Sequence, residues 1–225
     1  MSTQEIPDSK TFVAGLIEEM QQLFARLGAE QTLESESGGN VEVVTLLKLA
    51  LASELEAAEV AAFWLPTTPE IDAKTILAEQ CADELRHYNL ILGRLEALGE
   101  DMSGFDPLAE GHGPLQQFLR SLRTTEERIA AGPFACEAVA EVRNAQFIDY
   151  CRKVGDEETA RLYEDTIHPE EIHHHQRGRA YLEKVATTPE VQQRITNATQ
   201  SCLAIADELQ SLAEMTTGVP NLPVS

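Results

Sequence analysis

Glu84-Leu85-Arg86-His87 and Glu171-Ile172-His173-His174 share one spacing, Glu-x-x-His, on two stretches with helical periodicity. In an α-helix, positions i and i+3 lie on one face, so each pair presents a carboxylate and an imidazole to the same point. Some way upstream of each pair, a further glutamate opens a Glu-x-x-Ala: Glu54 before Glu84, and Glu137 before Glu171. Four carboxylates and two imidazoles are what a two-metal site inside a four-helix bundle requires.

Helical patterning covers almost the whole chain on either side of these motifs, and no β-type alternation stands out. An amphipathic helix is expected over about 10–27, then a polar linker, Gly28 to Asn40, containing Gly-Gly. Segment A runs from about Val41 to Trp64, with Leu47, Ala50, Glu54, Ala57, Ala61 and Trp64 on its inward stripe. Thr67-Thr68-Pro69-Glu70 predicts an N-cap with proline at the first helical position, opening segment B. Segment B carries Leu77, Cys81, Glu84, Tyr88, Ile91 and Leu95 on one stripe to about Leu98. Gly99 to Pro114 is rich in glycine and proline and reads as a long crossover. Segment C spans about Leu115 to Val154 with an interruption near Gly132-Pro133, and segment D spans about Glu157 to Val185. A second Thr-Thr-Pro-Glu, Thr187 to Glu190, opens a final helix over about 189–215. The expectation is one all-α domain, 1–225: an antiparallel four-helix bundle over about 41–185 with a long B–C crossover and extra terminal helices.

Two registers compete on segment D, since Glu170 and His173 share the spacing. Stepping from Glu171 meets Ile167, His174, Gly178, Tyr181 or Leu182, and Val185, whereas stepping from Glu170 meets Tyr163, Thr166, His173, Arg177 and Lys184, a stripe expected at the surface. Glu171 and His174 are therefore the expected pair. In an antiparallel hairpin, residue numbers at equal height sum to a constant, and a turn near Gly155 sets it near 310. Glu137 against Glu171–His174 comes close, although Glu141 has the more apolar flanks and stays an alternative. Glu54 lies on the apolar stripe of segment A, while Glu56 and Glu59 fall mostly off it. Pro169, two residues before Glu171, predicts a kink or a wider turn beside the site unless segment D begins there. A single Glu-x-x-His in an acidic chain usually means a solvated helix face; two on apolar stripes, each with a partner glutamate, do not. His168 and His175 read as surface or supporting groups, Tyr88 as an ordinary core residue, and Cys81 and Cys136 as small buried thiols near the site.

The formal charge of −21 excludes nucleic acid or an anionic membrane as a natural partner and would concentrate cations. No apolar run reaches the roughly 20 residues that span a bilayer, and the first ten residues carry no secretory pattern. Cys81, Cys136, Cys151 and Cys202 show no close pairing in sequence, which suits reduced thiols and a cytoplasmic setting. Four glutamates in an apolar bundle would repel one another and suffer desolvation, whereas two divalent ions would cancel their charge. Mixed oxygen and nitrogen donors suit two iron ions, or manganese, or a mixed pair, rather than a thiolate zinc site.

The double Glu…Glu-x-x-His arrangement resembles the ferritin-like di-iron carboxylate superfamily. It is closest to bacterial ferritin-like proteins with paired motifs. The resemblance rests on Ser53-Glu54-Leu55-Glu56-Ala57, Asp83-Glu84-Leu85-Arg86-His87, Pro133-Phe134-Ala135-Cys136-Glu137, and Glu170-Glu171-Ile172-His173-His174 with Gly178, within about 41–185. It implies metal ligands at Glu54, Glu84, His87, Glu137, Glu171 and His174. It further implies O2 or peroxide as co-reactant, an external electron donor and a small organic substrate. Glu170 stands where the family often has Asp, and no Cys-x-x-Cys provides a built-in electron relay. An oxidoreductase working as a monomer or small homo-oligomer is the leading expectation. A ferroxidase or iron-handling protein and a helical scaffold with a structural metal are the alternatives.

Overall fold

The computed structural model describes residues 6–30, 42–109 and 111–217, and side chains within 26–30 and 207–217 are left aside. The Gly-Gly linker expected before residue 40 lies outside the described residues. Those described are helical with no strand. In chain order the elements are α1 (Ser9–Glu30), α2 (Val43–Trp64), α3 (Ile71–Ala97), α4 (Pro114–Ser121) and α5 (Thr125–Ile129). A π-helical segment (Ala130–Cys136) runs directly into α6 (Glu137–Val154). Then come α7 (Glu157–Leu162), a second π-helical segment (Tyr163–Ile167), α8 (His168–Val185) and α9 (Pro189–Thr217).

The two Thr-Thr-Pro-Glu stretches end differently. Thr188 caps α9 as expected, accepting from the Val191 amide at 3.3 Å. Thr68 instead turns back to close α2, its hydroxyl donating to the Trp64 carbonyl at 3.0 Å, and Arg128 donates to that same hydroxyl. A short 3₁₀ turn, Leu65–Thr67, intervenes, and α3 begins only at Ile71, past Pro69. Segment C is also corrected: α4 stands apart, and the helix leading to Glu137 starts anew at Thr124. There the Thr124 side chain accepts from the Glu127 amide while the Glu127 carboxylate accepts from the Thr124 amide, satisfying two otherwise orphaned donors.

The chain reverses between α2 and α3, and again after α6 at Gly155, whose φ of 87° places it in the left-handed region that favours glycine. Asp156 caps α7, and Arg94 of α3 reaches both Asp156 at 2.7 Å and Thr159 at 2.8 Å, tying the second reversal to the first pair of helices. The buried apolar residues fall into two clusters. One holds Val60, Trp64, Leu77, Phe134, Val139 and Leu182, and the other holds Leu47, Leu51, Ile91, Leu95, Phe147 and Tyr163. Each of α2, α3 and α6 enters both clusters; α2 and α3 carry candidate ligands between their two apolar stretches, and α6 carries Glu137 at its start, between Phe134 of the first cluster's π-helical segment and Val139. The chain through Tyr163, Ile167 and α8 does the same. The terminal helices add to the first cluster, α1 through Val13, Leu16 and Met20, α9 through Ile195, Ala198 and Cys202. Among the described residues, no helix is long and apolar enough to cross a membrane.

Candidate metal centre

All six expected ligands are brought together. Glu54 comes from α2, Glu84 and His87 from α3, Glu137 from the first residue of α6, and Glu171 and His174 from α8. They form two overlapping groups. Glu54, Glu84, His87 and Glu171 make one, and Glu84, Glu137, Glu171 and His174 the other; within each, the candidate ligating atoms lie within 4.8 Å of one another. Glu84 and Glu171 belong to both, and each group adds one further glutamate and one histidine. All six are at most 3% exposed. Glu141 is not among them; it faces a surface cavity of about 260 Å³ with Ile17, Met20, Phe24 and His175.

Each imidazole turns Nδ1 inward. His87 Nδ1 lies 3.1 Å from Glu84, 3.3 Å from Glu54 and 3.3 Å from Glu171. His174 Nδ1 lies 3.5 Å from Glu84 and 3.6 Å from Glu171. The outward nitrogens cross over to the opposite motif. His87 Nε2 meets Glu170 at 2.7 Å and His174 Nε2 meets Asp83 at 3.1 Å. Arg86 contacts both of these carboxylates at 2.7 Å. The residue preceding each ligand glutamate thus fixes the histidine of the other motif, with Arg86 holding the pair. Such partners set the ring orientation and leave the inward nitrogen free to ligate. Periodicity assigned Glu170 to the surface; it is only half-buried, and its carboxylate reaches inward to an imidazole the sequence pattern could not place beside it.

Gln80 was also missed. It is buried one turn before Glu84 on the same face and donates to Glu137 Oε1. A polar residue at i−4 from a ligand on an apolar stripe was the available signal. Tyr163, from the second π-helical segment, is fully buried with no partner for its hydroxyl, and burial followed by the nearby Glu54 charge pushes its phenol well up. His175 is not a ligand: it stacks on Phe134 at 5.1 Å and bonds the Phe134 carbonyl at 2.7 Å. His173 is exposed, and Tyr88 packs partly buried against the second apolar cluster.

Electrostatics sort the six groups. Burial pushes Glu54 and Glu137 well above the carboxylate range, with neighbouring carboxylates adding to it. Burial and the Glu171 charge push Glu84 up as well, but its bonds to His174 and His87 outweigh them and hold it low. Glu171 is likewise held low against burial by bonds to Glu137, His174 and His87. Burial alone would strip the imidazoles of charge, yet the surrounding carboxylates raise both, His174 to about 11. These directions offset one another: the lowered Glu84 and Glu171 favour charge on His87 and His174, while burial favours the protonated form of Glu54 and Glu137.

The residues fit a cation. Glu84 Oε1, Glu137 Oε2, Glu171 Oε2 and His174 Nδ1, all in the second group, are buried and lack a partner at full hydrogen-bonding geometry, His174 Nδ1 standing 3.5 Å from Glu84 and 3.6 Å from Glu171. Contacts this long leave buried lone pairs incompletely satisfied, and an ion among the four would satisfy them together. The chain matches no family model, no curated protein and no solved structure.

Proposed function

We propose that the protein is a di-metal carboxylate protein with a ferritin-like four-helix bundle, acting as an O2- or peroxide-dependent oxidoreductase. The observation that carries this reading is the pair of overlapping buried ligand groups sharing Glu84 and Glu171. Two divalent ions, preferably iron and otherwise manganese or a mixed pair, would supply redox equivalents when held there. Glu54 and His87 would hold one ion, Glu137 and His174 the other, with Glu84 and Glu171 available to both. Oxygen and nitrogen donors without thiolate suit these metals. Gln80 pins one oxygen of Glu137 and leaves the other aimed at the cluster, while Asp83, Glu170 and Arg86 keep the imidazoles oriented. The apolar clusters on both sides exclude water from the ligands.

Anaerobic loading with Fe(II), followed by O2 exposure in an oxygen electrode and an absorption spectrometer, tests this. The expected result is about two ions per chain, O2 uptake, and loss of both in Glu84→Ala and His174→Ala but not in Glu141→Ala. Equal metal content in all three variants would overturn the assignment. The charge of −21 favours iron handling as the second reading, since it would draw cations to the surface. Light scattering separates the two: a large closed particle that accumulates mineral supports storage, and a monomer or small oligomer that turns over supports the enzyme.

A further inference from the structure

Cys136 and Cys202 were unremarkable in sequence, 66 positions apart, yet their sulfurs lie 3.3 Å from each other. That is closer than the roughly 3.5–4.0 Å of ordinary contact between side-chain carbons. Both thiols are free, and they are 2% and 0% exposed. Cys136 ends the first π-helical segment, immediately before Glu137, and Cys202 faces it from the middle of α9. Cys202 also points its sulfur at the Ala131 carbonyl at 3.5 Å, so its hydrogen has an acceptor other than Cys136 and its lone pairs are left towards that sulfur. Cys151 is buried in the other apolar cluster and Cys81 is only partly buried on α3.

We propose that Cys136 and Cys202 are a modification site, joined reversibly into a disulfide by a two-electron oxidant of the peroxide class. One thiol sulfur attacks a peroxide oxygen, the O–O bond breaks, and a sulfenic acid and one water result. The second sulfur then displaces the hydroxyl, forming the S–S bond and a second water. Each sulfur gives up one electron, the peroxide takes both, and the two thiol protons leave in water. A covalent S–S bond is about 2.0 Å long, so the sulfurs close by a little over 1 Å, within the reach of side-chain rotation and a small shift of α9. The bond would fasten the C-terminal helix to the residue beside Glu137. Burial makes access depend on α9 lifting, so the reaction is slow but confined to this pair.

The full-length chain is treated with hydrogen peroxide, with and without a chelator, then denatured, alkylated, digested and analysed by mass spectrometry. The expected result is one linked species carrying Cys136 and Cys202, cleaved by dithiothreitol, in both samples. The oxidised chain should melt at a higher temperature than the reduced one, and Cys202→Ser should abolish both the linked species and the shift. Separate alkylation of Cys136 and Cys202 after a dose that oxidises Cys81, or linkage of Cys136 to another cysteine, overturns the proposal. Because the bond needs no bound metal, its failure says nothing against the di-metal reading, and failure of that reading leaves the disulfide standing.

Discussion

At the scale of single residues, two consequences follow from how the histidines and acids are held. Glu170 grips the outward nitrogen of His87 at 2.7 Å without entering the cluster itself. Losing such a supporting partner typically costs about 10–100-fold in metal affinity. Glu170→Ala is therefore expected to weaken Mn(II) binding by that order in a calorimetric titration, with Glu164→Ala, on the exposed Arg152 pair, unchanged. Unaltered affinity in Glu170→Ala would remove the supporting role. The second consequence concerns protons. Glu54 and Glu137 are held protonated by burial, and His87 and His174 are held charged by their carboxylate neighbours. Ligands must shed their protons to bind an ion. Saturation near neutral pH should then release about four protons per chain, measured with an indicator dye in weak buffer, and Glu54→Gln should release about one fewer. Release near zero would show that the acids are already ionised.

At the scale of elements, the two π-helical turns do the positioning. The sequence predicts an interruption at Pro133 and a kink or wider turn at Pro169. The first lies inside Ala130–Cys136, and the second follows Tyr163–Ile167, so both helices continue through a wider turn instead of breaking. Proline cannot donate the ordinary i→i−4 bond, and one extra residue per turn absorbs that defect while rotating the residues that follow. Glu137 comes directly after the first turn, and Glu171 lies in the first helical turn after the second. The packing of the first turn is close: a Cβ on Gly178 would approach the Pro133 backbone to 2.8 Å, and one on Gly132 would meet the Trp64 ring at 2.9 Å. Backbone cannot give way as a flexible side chain can. Gly178→Ala is expected to cost about 1–3 kcal/mol in denaturant unfolding and to weaken metal binding by displacing Glu137. Gly93→Ala in α3, where nothing lies within 4 Å, should be neutral or slightly stabilising. Equal behaviour of the two variants would argue against the close approach.

At the scale of the whole molecule, a polar cluster divides the core, and its proton balance couples folding to pH. Glu54 and Glu137 keep protons in the folded chain that they release at an ordinary value of 4.5 when unfolded. His174 keeps its proton from an unfolded value of 6.5 up to about 11. Across that interval the folded state binds more protons, so stability falls as pH rises. Glu84 and Glu171, held low, act in the opposite sense and withdraw stability only below the ordinary carboxylate value. The chelator-treated protein should therefore melt lower at about pH 9 than at about pH 6. With Mn(II) bound the decline should vanish, since ions replace the protons, and the gap between the two forms should widen with pH. A chelated protein whose melting temperature rises over this range would contradict the proton assignment.

The all-helical class and the six residues that meet were legible along the chain, because helical spacing is local: i and i+3 share a face wherever the helix is placed. The sequence also separated Glu171 from Glu170 as the inward group, since an apolar stripe reveals which face is buried. What it could not reach depended on approach between distant segments. Glu170 crossing to His87, Gln80 donating to Glu137, Cys136 meeting Cys202 and Arg128 donating to Thr68 all depend on a neighbour far along the chain. Their cause is the packing of one helix on another, and no period along a single helix encodes which side chain its neighbour will offer.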